Sequence, residues 1–460
     1  MKNFRKNVLK SRNGITLIAL VITIIVLLIL AGISISMLAG DNSILNKTEE
    51  ARDITGTRDI EERIKLAYMA AISTGFGDTT KGAFEDELKK EFGKDNVKDL
   101  ADDLSKVKIN GKEYETGVSG GGGETTAKIK DKKPTSGGTV TALSDKDTTQ
   151  LEDDLGNIVK VPKGFGIATD SGTKVEEGIV IEDADSSRDT YKSQFVWVPV
   201  GMEIKVSTEI SVTGEIDIPL GRYVFNRSTG VVDENLSKTE PLDQLRISAS
   251  SSYYYTEKIN DGTTTNSYAR DIVGFINSAN INKGYYIARY EAGMSGTTSS
   301  TTESTLSDGN TSKNSDLAAQ VVTKSGVGVW NYISRGNASA VCRSMYNANS
   351  DKVTSDLINS YAWDTAIVFI EKCGTNNNYA NKTDGNGILK TTGNNSDEQC
   401  KINDMAGNVY EWSTEAYSGI SGPFVYRGGV YASNLYTAYR GTELTTTTSS
   451  SYGFRPLLYL

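Results

Sequence analysis

Apolar and polar positions alternate along this chain in three different rhythms. Residues 15–38 read ITLIALVITIIVLLILAGISISML, and no charge falls between Arg12 and Asp41. A helix of that length spans about 36 Å, enough to cross a hydrocarbon layer of about 30 Å. The second rhythm is amphipathic. Ile60, Ile64, Ala67 and Ala71 recur at helical spacing, with Glu61 and Lys65 paired on another face. This predicts that the helix continues to about residue 75. Residues 82–93 (GAFEDELKKEFG) predict a further amphipathic helix, and residues 106–114 a hairpin turned at Asn110 and Gly111. The third rhythm begins near Leu151, where short strand-like runs alternate with Gly, Asn and Asp turns. Residues 194–200 (QFVWVPV) and 284–292 (GYYIARYEA) read as buried strands, and residues 338–346 and 355–372 as helices.

Between the second and third regions lies a polar, glycine-rich stretch containing SGGGG at 119–123, read as a flexible linker. The predicted organisation is therefore a basic leader (1–14), a membrane helix (15–38), a stalk or small head (39–115), a linker (116–150) and a large domain (151–460). Residues 295–307 (SGTTSSTTESTLS) read as an exposed insertion, and residues 384–387 (DGNG) as a turn.

Charge orients the helix. Lys2, Arg5, Lys6, Lys10 and Arg12 precede it, whereas Asp41, Glu49 and Glu50 follow it. The basic flank stays in the cytoplasm, which places the C-terminal bulk outside the cell membrane. A cleaved secretory signal would have an apolar core of about 7–15 residues, shorter than this one. Composition then removes several chemistries. The chain of 460 residues has a net charge of −9 and no basic patch beyond its first twelve residues, so nucleic acid is not an expected partner. There is no histidine, which excludes Ser-His-Asp and Cys-His catalysis and His-ligated zinc. Cys342, Cys373 and Cys400 form no C-x-x-C pair, and their odd number argues against a disulfide framework.

Two resemblances sharpen the reading. Residues 12–20 (RNGITLIAL) resemble a type IV prepilin leader, which implies a prepilin peptidase cutting after Gly14 to leave Ile15 as the new N-terminus. Ala19 stands where that family has a Glu, the carboxylate implicated in subunit assembly. This departure favours an anchor over a filament subunit that would engage pilus-assembly machinery.

The second resemblance is to the formylglycine-generating-enzyme (sulfatase-modifying factor) family. It rests on five blocks in order: residues 286–292 (YIARYEA), Ile333-Ser334 with Ala338, Ala340, Cys342 and Arg343, residues 357–366 around Trp363-Asp364, residues 404–412 (DMAGNVYEW), and Arg427-Gly428-Gly429 with Arg440 and residues 453–455 (GFR). The resemblance implies an α+β domain of C-type-lectin-like fold, rich in irregular structure. It also places Ser433 and Ala438 where the oxidase has its two cysteines. A hydroxyl and a methyl group supply neither a copper ligand nor thiol exchange, so no copper and no oxidase activity are expected. In the family's GNVWEW loop the resemblance implies a calcium ion held by the Asp404 side chain, the Gly407 and Val409 carbonyls and Glu411. An alternative role for Glu411 is to brace the loop by hydrogen bonding.

Tyr431, Ser433, Asn434, Tyr436, Thr437 and Tyr439 crowd into one short segment. Tyrosine offers large contacts at low entropic cost, and Ser and Asn offer adaptable hydrogen bonds. Some members of this fold are receptors diversified by retroelements just before a GFR-like end, and this chain ends in GFRPLLYL. The same composition also suits an ordinary polar loop. The expectation is a membrane-anchored, non-catalytic surface protein whose C-terminal loops bind an extracellular protein or glycan. The alternative is a pilin or pseudopilin subunit with a large adhesive head.

Overall fold

Asn110 and Gly111 both adopt positive φ, 53° and 82°, in the computed structural model. That is the geometry a two-residue hairpin turn requires, and it joins β2 (Lys106–Ile109) to β3 (Lys112–Glu115). β1 (Val97–Lys98) pairs with the other edge of β2. Helix α1 (Lys81–Phe92) buries Phe84 and Leu88, four residues apart, against this small sheet. Residues 63–68 are also helical, and Ile64, Ala67 and Ala71 are buried in the same cluster, on the predicted face.

The structure describes residues 60, 63–68, 70–71, 81–101, 104–116, 126–207, 213–238, 244–246, 248, 250–257, 268–294, 321–394, 396–419, 424–444 and 446–460. The basic leader, the apolar segment 15–38, the cut between Gly14 and Ile15 and the insertion at 295–307 lie outside them. Among the described residues no helix is long and apolar enough to cross a membrane.

Residues 1–125 form one unit and residues 126–460 a second. The second begins earlier than the sequence suggested. Ile129 is fully buried in its core, Lys128 bridges to Glu152, and the Leu143 N–H donates to the Phe165 carbonyl at 2.9 Å. Residues 126–150 are therefore packed chain rather than linker. Their few apolar anchors are too sparse to show a period.

Two six-stranded sheets organise this unit. The short hairpin of β4 (Thr149–Glu152) and β5 (Ile158–Val161) precedes them. The first sheet contains β6 (Phe165–Ile167), β7 (Val180–Asp183) and β8 (Gln194–Pro199). A hairpin of β9 (Gly201–Ser207) and β10 (Thr213–Ile218) follows. The second sheet opens with β11 (Leu245–Arg246) and β12 (Tyr254–Thr256). The chain returns to the first sheet as β13 (Gly284–Ala288), makes the small ladder of β14 (Gly293–Met294) and β15 (Val321–Val322), and adds β16 (Thr354–Leu357). Strands β17 (Tyr410–Tyr417), β18 (Phe424–Arg427), β19 (Arg440–Glu443) and β20 (Tyr452–Phe454) complete the second sheet. The terminal strand β21 (Pro456–Tyr459) completes the first, whose order is β16-β21-β13-β8-β7-β6, antiparallel throughout. In the second, β12 and β20 divide one edge of β17, β20 running parallel to it, and β18 and β19 continue from the other.

Among the described residues, three longer helices pack on this frame, each started by a side chain accepting an orphan N–H. Asp271 caps α2 (Ile272–Asn282), Ser334 caps α3 (Arg335–Ser344) and Asn359 caps α4 (Ser360–Cys373). The segment predicted as one helix over 355–372 is thus a strand followed by a helix. Pairing of β16 with β21 and the Asn359 cap set the break. Residues 360–370 of α4 are all buried, so this helix runs through the core with no solvent face. Trp197, Trp330, Trp363 and Trp412 are each at most 1% exposed and belong to the same cluster.

Candidate ligand-binding face

Strand register gathers tyrosines on one side of the second sheet. Trp412 of β17 stands opposite Tyr426 of β18, and Tyr410 opposite Tyr452 of β20. Tyr410 and Tyr426 have ring centroids 4.6 Å apart, Tyr426 and Tyr452 5.0 Å, and Tyr452 stacks on Trp412 at 5.0 Å. Tyr439 joins from the loop before β19, 6.1 Å from Tyr426. Gly441 faces Tyr426 across the strands, and a Cβ there would lie 2.1 Å from the tyrosine ring, so any larger residue would displace that ring. Trp412 is buried, while the four tyrosines are half-buried. They form an aromatic surface with hydroxyls at its margin. Burial raises the Tyr410, Tyr426 and Tyr452 pKa values, so these hydroxyls remain neutral donors at physiological pH. The sequence reading missed Tyr410, Tyr426 and Tyr452. Alternation sets Tyr410 on one face of β17 with Trp412, and Tyr426 on one face of β18, but only the pairing of β17 with β18 and β20 brings the three tyrosines together.

The loop at 428–439 borders this surface. Its stem is tightly fitted. Gly428 (φ 85°) lies against Trp363, and a Cβ on Gly429 would meet the Ala406 carbonyl oxygen at 1.9 Å. Tyr431 N–H donates to the Asn408 carbonyl at 2.8 Å, and Gly387 N–H donates to the Tyr431 carbonyl at 2.7 Å. On the return side Thr437 and Ala438 donate to the Lys382 and Ala380 carbonyls, both at 3.0 Å, and the Trp363 indole donates to the Thr437 carbonyl at 3.0 Å. Of the six loop residues singled out from sequence, Ser433 and Asn434 are exposed and Tyr431, Tyr436 and Tyr439 half-buried. Thr437 is fully buried and lies beneath the face instead of on it. Ser433 Oγ is 3.3 Å from the Tyr410 hydroxyl, and Tyr431 shares a 3.0 Å contact with Ser450. The Arg227 guanidinium lies 3.2 Å from the Tyr436 ring centroid, a cation–π contact from a distant segment. Ala438 is 8% exposed whereas Ser433 is exposed, so of these two positions one is closed and one open.

Under the face lies a buried ionic frame. Arg427 and Arg440 both bond Asp364 on α4, Arg427 at 2.6 Å. Arg440 also donates to both oxygens of Glu415, at 3.2 and 3.0 Å, and Arg222 donates to Glu415 at 2.9 Å. Burial alone would raise the Glu415 pKa, but Arg440, Arg222 and Arg427 together hold it below the ordinary value. Glu257, nearby, goes the other way: burial and the Glu415 charge raise it, against hydrogen bonds from Ser360 N–H and Thr414.

The 404–412 loop has its own acidic cluster. Glu411 accepts from Arg455 Nε at 2.8 Å and Nη2 at 2.6 Å, one bond to each oxygen. Asp404 N–H donates to Asp397 at 2.9 Å, and Asp404 Oδ2 accepts from Gly393 N–H at 2.6 Å. Asp404 Oδ1 is buried without a hydrogen-bond partner, as is Oδ2 of Asp384, whose backbone bridges Gly407. Burial and the Asp397 charge push Asp404 up to about 8. Glu291 binds the same loop, accepting from Asn408 Nδ2 at 2.6 Å and from Val409 N–H at 3.0 Å. Among the described residues no group of three or more acidic or thiol side chains is arranged to hold a metal ion. Of the four expected calcium positions, Asp404 fits a cation through its free oxygen, whereas both Glu411 oxygens are already engaged by Arg455.

A family model points the same way as the four blocks between Ile333 and Arg455. The crystal structure of CarF is similar with 13% identity and a TM-score of 0.26, over 38% of this chain and 86% of that one. Treponema denticola variable protein 1 is similar with 16% identity and a TM-score of 0.26, over 39% and 85%. No curated protein matches the chain. The family described as "Sulfatase-modifying factor enzyme 1-like domain" matches residues 330–458. Over those residues, which hold β16 to β20, α3, α4 and the tyrosine face, the chain carries a sulfatase-modifying-factor-like domain.

Proposed function

We propose that this chain is a membrane-anchored display protein that binds an extracellular protein or glycan without transforming it. The anchor is residues 15–38, with the C-terminal unit outside. The observation that carries the binding reading is the cluster of Tyr410, Tyr426, Tyr439 and Tyr452 beside an exposed loop tip. Aromatic surface with hydroxyl margins makes large contacts while losing little side-chain freedom, and the tip supplies Ser433 and Asn434 as adaptable partners. The tip is also where sequence change disturbs the frame least, as a diversified receptor requires. Against catalysis stand the absence of histidine and the Ser433 and Ala438 side chains. A calcium ion would be held through Asp404 Oδ1 with the carbonyls of Gly407 and Val409, and it would neutralise part of the buried acidic cluster.

The test uses cells bearing the full chain, applied to glycan and protein arrays beside cells bearing Tyr410→Ala or Tyr439→Ala. Expected is binding to a defined class of spots, reduced at least tenfold by either variant at equal surface expression. Binding unchanged by both variants would remove the tyrosine face from the reading. Shearing the same cells separates anchor from filament: the chain is expected to remain with the membranes.

A further inference from the structure

All three cysteines are free thiols in this structure, one sealed in the core and two on neighbouring segments. Cys342 is fully buried on α3. Cys373 ends α4, Cys400 lies between that helix and β17, and both are half-buried. The Cys400 sulfur is 3.5 Å from where a Cβ on residue 374 would sit, one position from Cys373. A tight turn presents it there. Gln399 and Ile402 exchange both backbone hydrogen bonds, at 3.0 and 2.8 Å, while Cys400 and Lys401 between them adopt positive φ of 45° and 66°. Neither is glycine, so the turn is held by its surroundings. Gln399 Oε1 fastens it to the helix end, accepting from Thr375 N–H at 2.9 Å and from the Thr375 hydroxyl at 3.1 Å.

We propose that Cys373 and Cys400 form a disulfide that closes the 374–399 segment beneath the binding loop. That segment carries Ala380 and Lys382, whose carbonyls hold the loop's return side, and Gly387, whose N–H holds Tyr431. The bond's oxidising surroundings rest on the outward placement of this unit under the proposed function. In the reaction two thiols lose two protons and two electrons to a small-molecule or enzyme disulfide, which is reduced to two thiols. Burial pushes Cys373 up to about 12 and Cys400 higher still, the latter helped by its neighbour. The folded thiols are therefore poor nucleophiles, which favours bond formation before their burial is complete. Cys342 is the odd thiol that hid the pair from a count.

The experiment refolds the reduced, urea-unfolded full chain in detergent with a glutathione redox buffer, then alkylates it. Expected are one free thiol, at Cys342, a proteolytic fragment joining residues 373 and 400, and a Tm about 5 °C above that of the reduced protein. Cys373→Ser and Cys400→Ser should each leave two free thiols and abolish the redox-dependent Tm difference. Three free thiols in the oxidised wild type, or a link to Cys342, overturns the assignment, as does a Tm difference surviving in both variants. A bond formed in buffer but missing from protein alkylated directly in cells would count against the outward placement and not against the pairing.

Discussion

Arg427 and Arg440 face each other as a register pair at the two ends of the 428–439 loop, and both reach the carboxylate of Asp364. One helix residue thus fixes where the loop leaves the sheet and where it returns. Asp364→Ala would leave two buried guanidiniums short of a partner, which typically costs about 3–5 kcal/mol. A urea titration should show that loss as a lowered midpoint with an unchanged slope. A shift below about 1 kcal/mol would mean that Glu415 alone holds the pair.

The same frame separates tolerant from intolerant positions in the loop. Ser433 and Asn434 are exposed, and substitutions there should change stability by no more than about 0.5 kcal/mol. Gly429→Ala forces a methyl group onto the Ala406 carbonyl and should cost about 1–3 kcal/mol or more. Thermal melts of the three variants check the contrast. Equal effects at all three positions would refute a rigid stem with a free tip.

Glu371 provides a pH signature. Burial raises its pKa to about 7, even though its carboxylate accepts from Ala380 N–H at 2.8 Å. A carboxyl group whose folded pKa exceeds its unfolded value of 4.5 binds more protons in the folded state between the two. Its contribution is therefore complete below pH 4.5 and lost as pH rises through 7. Glu371→Gln keeps an acceptor for Ala380 without the titration. The stability difference between variant and wild type should grow in the variant's favour from pH 4.5 to 7 and level off above. Parallel pH profiles would contradict this.

Calcium has a direct readout. If Asp404 Oδ1 holds the ion, excess calcium should raise Tm relative to EGTA, by about 2.7 kcal/mol of stability at a hundredfold excess over Kd. Asp404→Asn should remove most of that difference. Identical melts with calcium and chelator would assign the free oxygen to a protonated carboxyl group instead.

Local features of this fold were legible in the chain because they depend on neighbours in sequence. The turn at Asn110 and Gly111 needs only two residues of positive φ, and the buried runs of β8 and β13 announce themselves by composition. The break between β16 and α4 was not legible, because Leu357 continues a helical period and only pairing with β21 makes it a strand. The site divides the same way. The loop 431–439 stood out by composition, but its floor did not. Asp364 meets Arg427 and Arg440 across 63 and 76 residues, separations at which no local pattern carries information. Tyr452 reaches Tyr410 only through a parallel strand pairing that brings in the chain's last turn.

The interior position of β21, between β16 and β13, bears on how this protein can be cut. Its partner β13 lies at residues 284–288, before the matched span of 330–458, and Glu291 beyond it supports Asn408 and Val409. A fragment trimmed to the matched span would strip β21 of one neighbour and bare a row of unpaired amides and carbonyls along an apolar strand. Such an edge recruits other chains. An excerpt that keeps β21 covered must start upstream of β13, and one that keeps the whole sheet must start upstream of β6, near residue 126, where the second unit begins.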